Sequence, residues 1–296
     1  MFRASLLACV LPAAALAEPA DLLRDVARIA AAERLWIAAA AGSDELDAHL
    51  EAELPLFRAH LAALDPAAAS AAAANDISAA AAEAAAILRA ASPADPAQRE
   101  AGVIAALLLP EGGVAEAYED GAEGAADDWS LAHHGLRRVR VLTDALLPEL
   151  PEAERARAAA SLERLEAAIP ATAPAYAEML PGGEIEFETQ VMAAALLRGT
   201  GAPAWPGSDL ARAARLVADW AAEGCADADP ARGQETLAIA AFWHDEALSG
   251  TLTLFAPEAL ARAQAAFDAI ADDGPHPDAC NALAGALAEA QPMLGG

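Results

Sequence analysis

Alanine makes up roughly three residues in ten of this chain, far above its usual share, and no other feature narrows the fold as much. Ala loses no side-chain entropy in a helix and buries no polar group, so it is the strongest helix former. Aromatic residues are only 4% of the 296 residues, too few to supply the large inter-layer side chains of packed sheets. Pro and Gly, 19 of each, recur between the Ala-rich stretches and cut them into helix-length pieces. The pattern predicts an all-α protein of antiparallel helical hairpins, with about ten helices bundled in two packed subdomains.

Residues 1–17 read as an export signal. Arg3 gives a positive start, Leu6 to Leu16 a short apolar stretch, and Ala15-Leu16-Ala17 a small-x-small cleavage site. The apolar run is well short of the ~20 residues a membrane-spanning helix needs. The expected location is periplasmic or secreted, with the mature chain starting near Glu18. Leu6-Leu7-Ala8-Cys9 also matches a lipoprotein-type motif, but too little apolar chain precedes Cys9, so lipidation there is the minor alternative. Cleavage removes Cys9 and leaves Cys225 and Cys280, which in an oxidising compartment form one disulfide.

Helix punctuation divides the remainder. A first helix runs from Glu18-Pro19 to about Ala41, and a second from the cap Ser43 to Leu64. An Ala-dominated helix ends near Ala91, and an apolar one near Leu109. The stretch Pro110 to Gly124, rich in Gly and acids, reads as irregular. Helices are then expected from Asp127 to Leu147, Glu152 to Ile169 and Glu184 to Arg198. The run Gly199 to Gly207 reads as a linker between an N-terminal subdomain, 18–198, and a C-terminal four-helix subdomain, 208–296. The C-terminal helices are expected at Asp209–Gly224, Pro230–Leu248, Pro257–Asp272 and Asp278–Ala290. In an up-down-up-down bundle the first helix ends where the fourth begins, so Cys225 and Cys280 meet at one pole.

The 18 basic residues are all Arg, set against 45 Asp and Glu for a net charge of −27. Such a surface repels phosphate backbones and anionic lipid, which argues against nucleic acid and membrane-surface partners, and it suits basic partners or metal cations.

Three polar constellations could carry chemistry. Glu45, His49 and Glu53 stand at i, i+4, i+8 on the second helix, with His60 close to three turns beyond His49. Two such ligands one turn apart can share a divalent metal ion, the one cofactor the sequence suggests. Asp128 falls on the apolar side of its helix near His133 and His134, an acid and histidine pairing suited to general acid–base work if a cleft opens there. His133 and His134 themselves point ~100° apart. In Phe242-Trp243-His244-Asp245-Glu246 a histidine on the face of Leu237 and Leu248 lies near Glu235 and Glu246, on a helix apolar nearly all round. Glu188 shares a face with Ile185, Met192 and Leu196. No zincin, haem c, phosphate-loop or nucleophile-elbow motif occurs, and a bridged cysteine pair leaves no thiol nucleophile.

The leading expectation is a non-catalytic periplasmic binding or interaction protein, whose partner is an unidentified protein or small molecule held in a groove between the helical halves. The alternatives are a metal-binding helical protein built on His49, Glu45 and Glu53 with His60 or His244, and a hydrolase-like enzyme using Asp128, His133 and His244.

Overall fold

The computed structural model describes residues 19–42, 58, 60–64, 77–108, 113–202 and 210–294. Among them there are twelve α-helices and no strand, so the chain is all-α, with slightly more helices than the sequence suggested. They are α1 (Pro19–Ala41), α2 (Ile77–Ala91), α3 (Pro96–Leu108), α4 (Val114–Glu123), α5 (Ala126–Leu146), α6 (Glu152–Ala168), α7 (Gly182–Thr200), α8 (Leu210–Ala226), α9 (Pro230–His244), α10 (Gly250–Phe255), α11 (Pro257–Asp273) and α12 (Pro277–Ala290). The signal segment, most of the second expected helix and residues 203–207 of the expected Gly199–Gly207 linker lie outside the described residues, while Gly199 and Thr200 belong to α7. No described helix is long and apolar enough to cross a membrane.

The fold is built around α1. It packs against α2, α3 and α5 and touches α9, and it is buried on nearly every side: Val26, Ile29, Leu35 and Ala38 on different faces are all sealed. Small residues make this close packing possible. The inner face of α2 is Ala80, Ala81, Ala84, Ala85 and Leu88, a stripe so thin that the helix backbone approaches its neighbour closely. The apolar stripe of α5 is buried, with Trp129, Ala132, Leu136, Val139 and Leu146 all inside.

A helix buried on all sides cannot send charged residues to solvent, and α1 carries several. Glu33 is fully buried and accepts hydrogen bonds from Arg138 Nε and Nη2 at 2.6 and 2.8 Å, with Arg89 Nη1 at 2.6 Å. Arg34 pairs with Glu246, and Arg28 with Glu235 at 2.6 Å. Trp243 Nε1 donates to the Leu23 carbonyl at 3.2 Å. The junction between α1 and the α9 region is thus a row of buried, matched polar contacts, which the desolvation cost of charge makes obligatory.

The segment read as irregular contains α4. Its glycines are terminators and contact points rather than signs of loop. Gly124, at φ 115°, closes the helix in the left-handed conformation, its own N–H and that of Ala125 reaching the carbonyls of Gly121 and Asp120. A Cβ on Gly121 would stand 2.7 Å from the Trp129 backbone nitrogen, so α4 and α5 meet there without a side chain between them.

In the C-terminal part, α8 packs on α9 and α12, and α11 on α9 and α12. Cys225 in the last turn of α8 and Cys280 in the first turn of α12 are joined by a disulfide, as the bundle order required. The helix expected to stop at Leu248 instead passes through a π-turn, Asp245–Ser249, into α10. Ser249 and Thr253 hydroxyls donate back to the carbonyls of Asp245 and Ser249. Buried residues from Leu22 to Leu294 form one contiguous core.

Candidate functional site

A cavity of about 300 Å³ opens between α1, α3, α4 and α5, lined among others by Arg34, Leu107, Glu116, Asp120 and Asp128. Helical geometry brings the acids together. Glu116 and Asp120 are one turn apart on α4 and so share a face, and the tight α4–α5 turn at Gly124 folds Asp128, in the first turn of α5, back onto them. Ile37, Val114 and Leu131 supply an apolar wall. Glu116 and Asp128 are half-buried and Asp120 exposed, which makes a graded entrance with carboxylates from mouth to interior.

Arg34 stands at the inner end. Its guanidinium is buried, paired to Glu246, bonded to the Ala106 carbonyl at 3.2 Å and 5.0 Å from the Phe242 ring centre. Glu246 is one partner of this guanidinium, and the lining carries three acids beside this one arginine. The described lining offers no hydroxyl, thiol or imidazole, and so no nucleophile beyond the carboxylates. Among the described residues no three His, Cys, Asp or Glu side chains form a group able to hold a metal ion.

The residues singled out in the sequence scatter. Asp128 is in this cavity, whereas His133 lines a separate one with Arg137, Arg140 and Glu166, and its Nδ1 lies 3.1 Å from the Ile169 carbonyl. Burial, with His133 and Arg137 nearby, lowers the His134 pKa. His244 is fully buried, its Nδ1 is 3.1 Å from Asp245 Oδ1, and its Nε2 has no hydrogen-bond partner among the described residues. Glu246 is not in the lining of the first cavity but pairs with Arg34, which is. Asp128, His133 and His244 therefore do not share a site. His60 is half-buried with a lowered pKa, through burial first and then the nearby Arg28 charge, Asp25 opposing. Glu45, His49 and Glu53 lie outside the described residues.

Glu188 lines a third and larger depression, about 880 Å³, between α6 and α7. Arg164 grips it with two bonds at 2.6 and 2.7 Å, and that pairing holds its carboxyl below the usual range. One wall is the chain from Ile169 to Pro181, and three side chains fasten it: Trp129 Nε1 donates to Pro170 O at 3.0 Å, Tyr118 Oη to Leu180 O at 2.8 Å, and His133 meets Ile169 O. Burial raises the Tyr118 pKa, with the Leu180 bond opposing.

Arg34, Glu116 and Asp120 escaped the sequence reading. The Glu116–Asp120 spacing was a usable signal, but only on a helix, and the surrounding glycines concealed that helix. No protein-family model, curated protein or solved structure matches this chain.

Proposed function

We propose that this is an exported, non-catalytic binding protein whose ligand is a small organic cation, held in the cavity beneath Arg34. The observation that carries the reading is the lining: three carboxylates and a single arginine on one preformed cavity, the arginine also paired with Glu246 outside the lining. An elongated ammonium or guanidinium ligand meets successive carboxylates along its length, whereas a metal ion needs them at one point. A volume of about 300 Å³ is at the lower end of small-molecule sites. A mainly apolar wall beside charged groups suits an aliphatic chain bearing cationic ends. The absence of a hydroxyl, thiol or imidazole among the described lining residues supports retention over chemistry.

Export is part of the proposal. The N-terminal signal motif carries it, and the Cys225–Cys280 disulfide is compatible with it.

Isothermal titration with aliphatic diamines, agmatine and a simple monoamine tests the reading. A diamine should bind one to one with Kd on the order of 10–100 µM, and agmatine comparably. Asp120→Asn, at an exposed position, should weaken binding about tenfold, as expected for a charge-assisted contact worth ~1.5 kcal/mol. Equal heats from wild type and an Asp120→Asn/Asp128→Asn variant would reduce the interaction to nonspecific attraction by the acidic surface and end the proposal.

A further inference from the structure

The depression between α6 and α7 has features the cation cavity lacks. Its floor includes the buried Leu165 and Ile185, and its edge bears Leu180 and Phe187, 41% and 61% exposed. Tyr176, on the same wall segment, is 77% exposed. Large apolar side chains left in water beside a concave surface are a signature of contact with something else. The wall is also preorganised, because Trp129, Tyr118 and His133 fix its carbonyls and three prolines (170, 174 and 181) stiffen it. A partner therefore need not bear the entropy of ordering it. Around the apolar floor stand Glu178 and Glu184, both exposed and both without a salt-bridge partner among the described residues.

The geometry points to a docking groove for a cationic amphipathic segment of another protein, its apolar side chains on Leu180 and Phe187 and its Arg or Lys residues against Glu178 and Glu184. Charge decides the occupant. A second copy would bring the same acids and a net charge of −27 to the contact, and an anionic bilayer would be repelled by them. A basic segment satisfies both the apolar floor and the acidic rim.

Fluorescence anisotropy with a labelled synthetic peptide of Leu, Phe and Lys in helical period tests this against a copy with Glu in place of Lys, at ~0.1 M salt. The basic peptide should saturate and the acidic one should not. Phe187→Ser should weaken binding at least tenfold while leaving the melting temperature unchanged, since Phe187 is largely exposed. Glu178→Lys/Glu184→Lys should invert the peptide preference, and Asp120→Asn should leave it intact, which separates this groove from the cation cavity. Peptide binding indifferent to Phe187→Ser overturns the inference. So does a Phe187-dependent dimer in sedimentation, or Phe187-dependent pelleting with phosphatidylglycerol vesicles.

Discussion

Replacing Glu33 by Gln should be among the most damaging single changes in this protein. Glu33 is fully buried, and its carboxylate binds Arg138 through two nitrogens and Arg89 through one, all within 2.8 Å. The amide keeps the size of the side chain but loses its charge, and it turns an N–H donor toward guanidinium donors. Breaking a buried pair from one side costs ~3–5 kcal/mol. Arg89 and Arg138 retain about a fifth of their side-chain exposure, so some water reaches the orphaned cations and the lower end, about 3 kcal/mol, is expected. Arg89 is poorly placed to recover. Burial already works against its charge, Glu33 and Glu100 more than offset this, and its Nη2 is buried without a hydrogen-bond partner. Urea unfolding followed by circular dichroism should show that loss, with a fall in Tm of roughly 6–12 °C. The exposed control Glu166→Gln, facing Arg140, should cost less than about 1 kcal/mol. If the damage comes from orphaned charge, Glu33→Leu/Arg89→Leu/Arg138→Leu should regain much of the loss. A Glu33→Gln variant as stable as the control would refute the view that matched buried charge holds α1 in place.

Further outcomes follow from the same structure. Glu235 has a pKa raised by burial, with Arg28 opposing. The folded state thus binds more protons than the unfolded one between about 4.5 and the folded value, and stability falls as pH rises through that window; Glu235→Gln should remove this slope from the urea midpoint. His60 behaves in the opposite sense. Its folded pKa lies below the ordinary 6.5, the unfolded chain binds more protons there, and stability falls as pH drops below about 6.5, a slope His60→Gln should flatten. The Cys225–Cys280 bridge spans 55 residues, so the double Ser variant should lose about 4 kcal/mol in the chain-entropy model, read as a shifted urea midpoint. Trp129→Phe keeps most of the packing but drops the bond to Pro170. Amide exchange along residues 169–180 should then quicken; unchanged protection would mean that the wall is held by packing alone.

Legibility in the sequence tracked the range of the interactions involved. The C-terminal helices and the pole at which Cys225 and Cys280 meet were readable because caps, Pro at first-turn positions and helix order are local or topological facts. The π-turn after His244 was not, since Gly250 looks like a stop when only neighbours are considered. Segment 110–124 misled for a related reason: Gly121 and Gly124 serve contact and termination, and a residue count cannot distinguish these uses from loop. Burial of α9 was foreseen from its all-round apolarity. The partners of its acids were not, because Arg28–Glu235 and Arg34–Glu246 join residues more than 200 positions apart. The same limit applied to the cavity. Asp128 stands out in the sequence by its misplaced polarity on an apolar face with histidines nearby, but its companions in the cavity are Glu116, Asp120 and Arg34.

A crystal structure of the protein grown with an aliphatic diamine decides whether the cavity beside Arg34 is a cation site. Density for the diamine is expected inside the cavity, with ammonium groups within hydrogen-bond distance of at least two of Glu116, Asp120 and Asp128 and with the Arg34–Glu246 pair intact. An empty cavity at saturating diamine, or diamine ordered only on the outer surface, would contradict it.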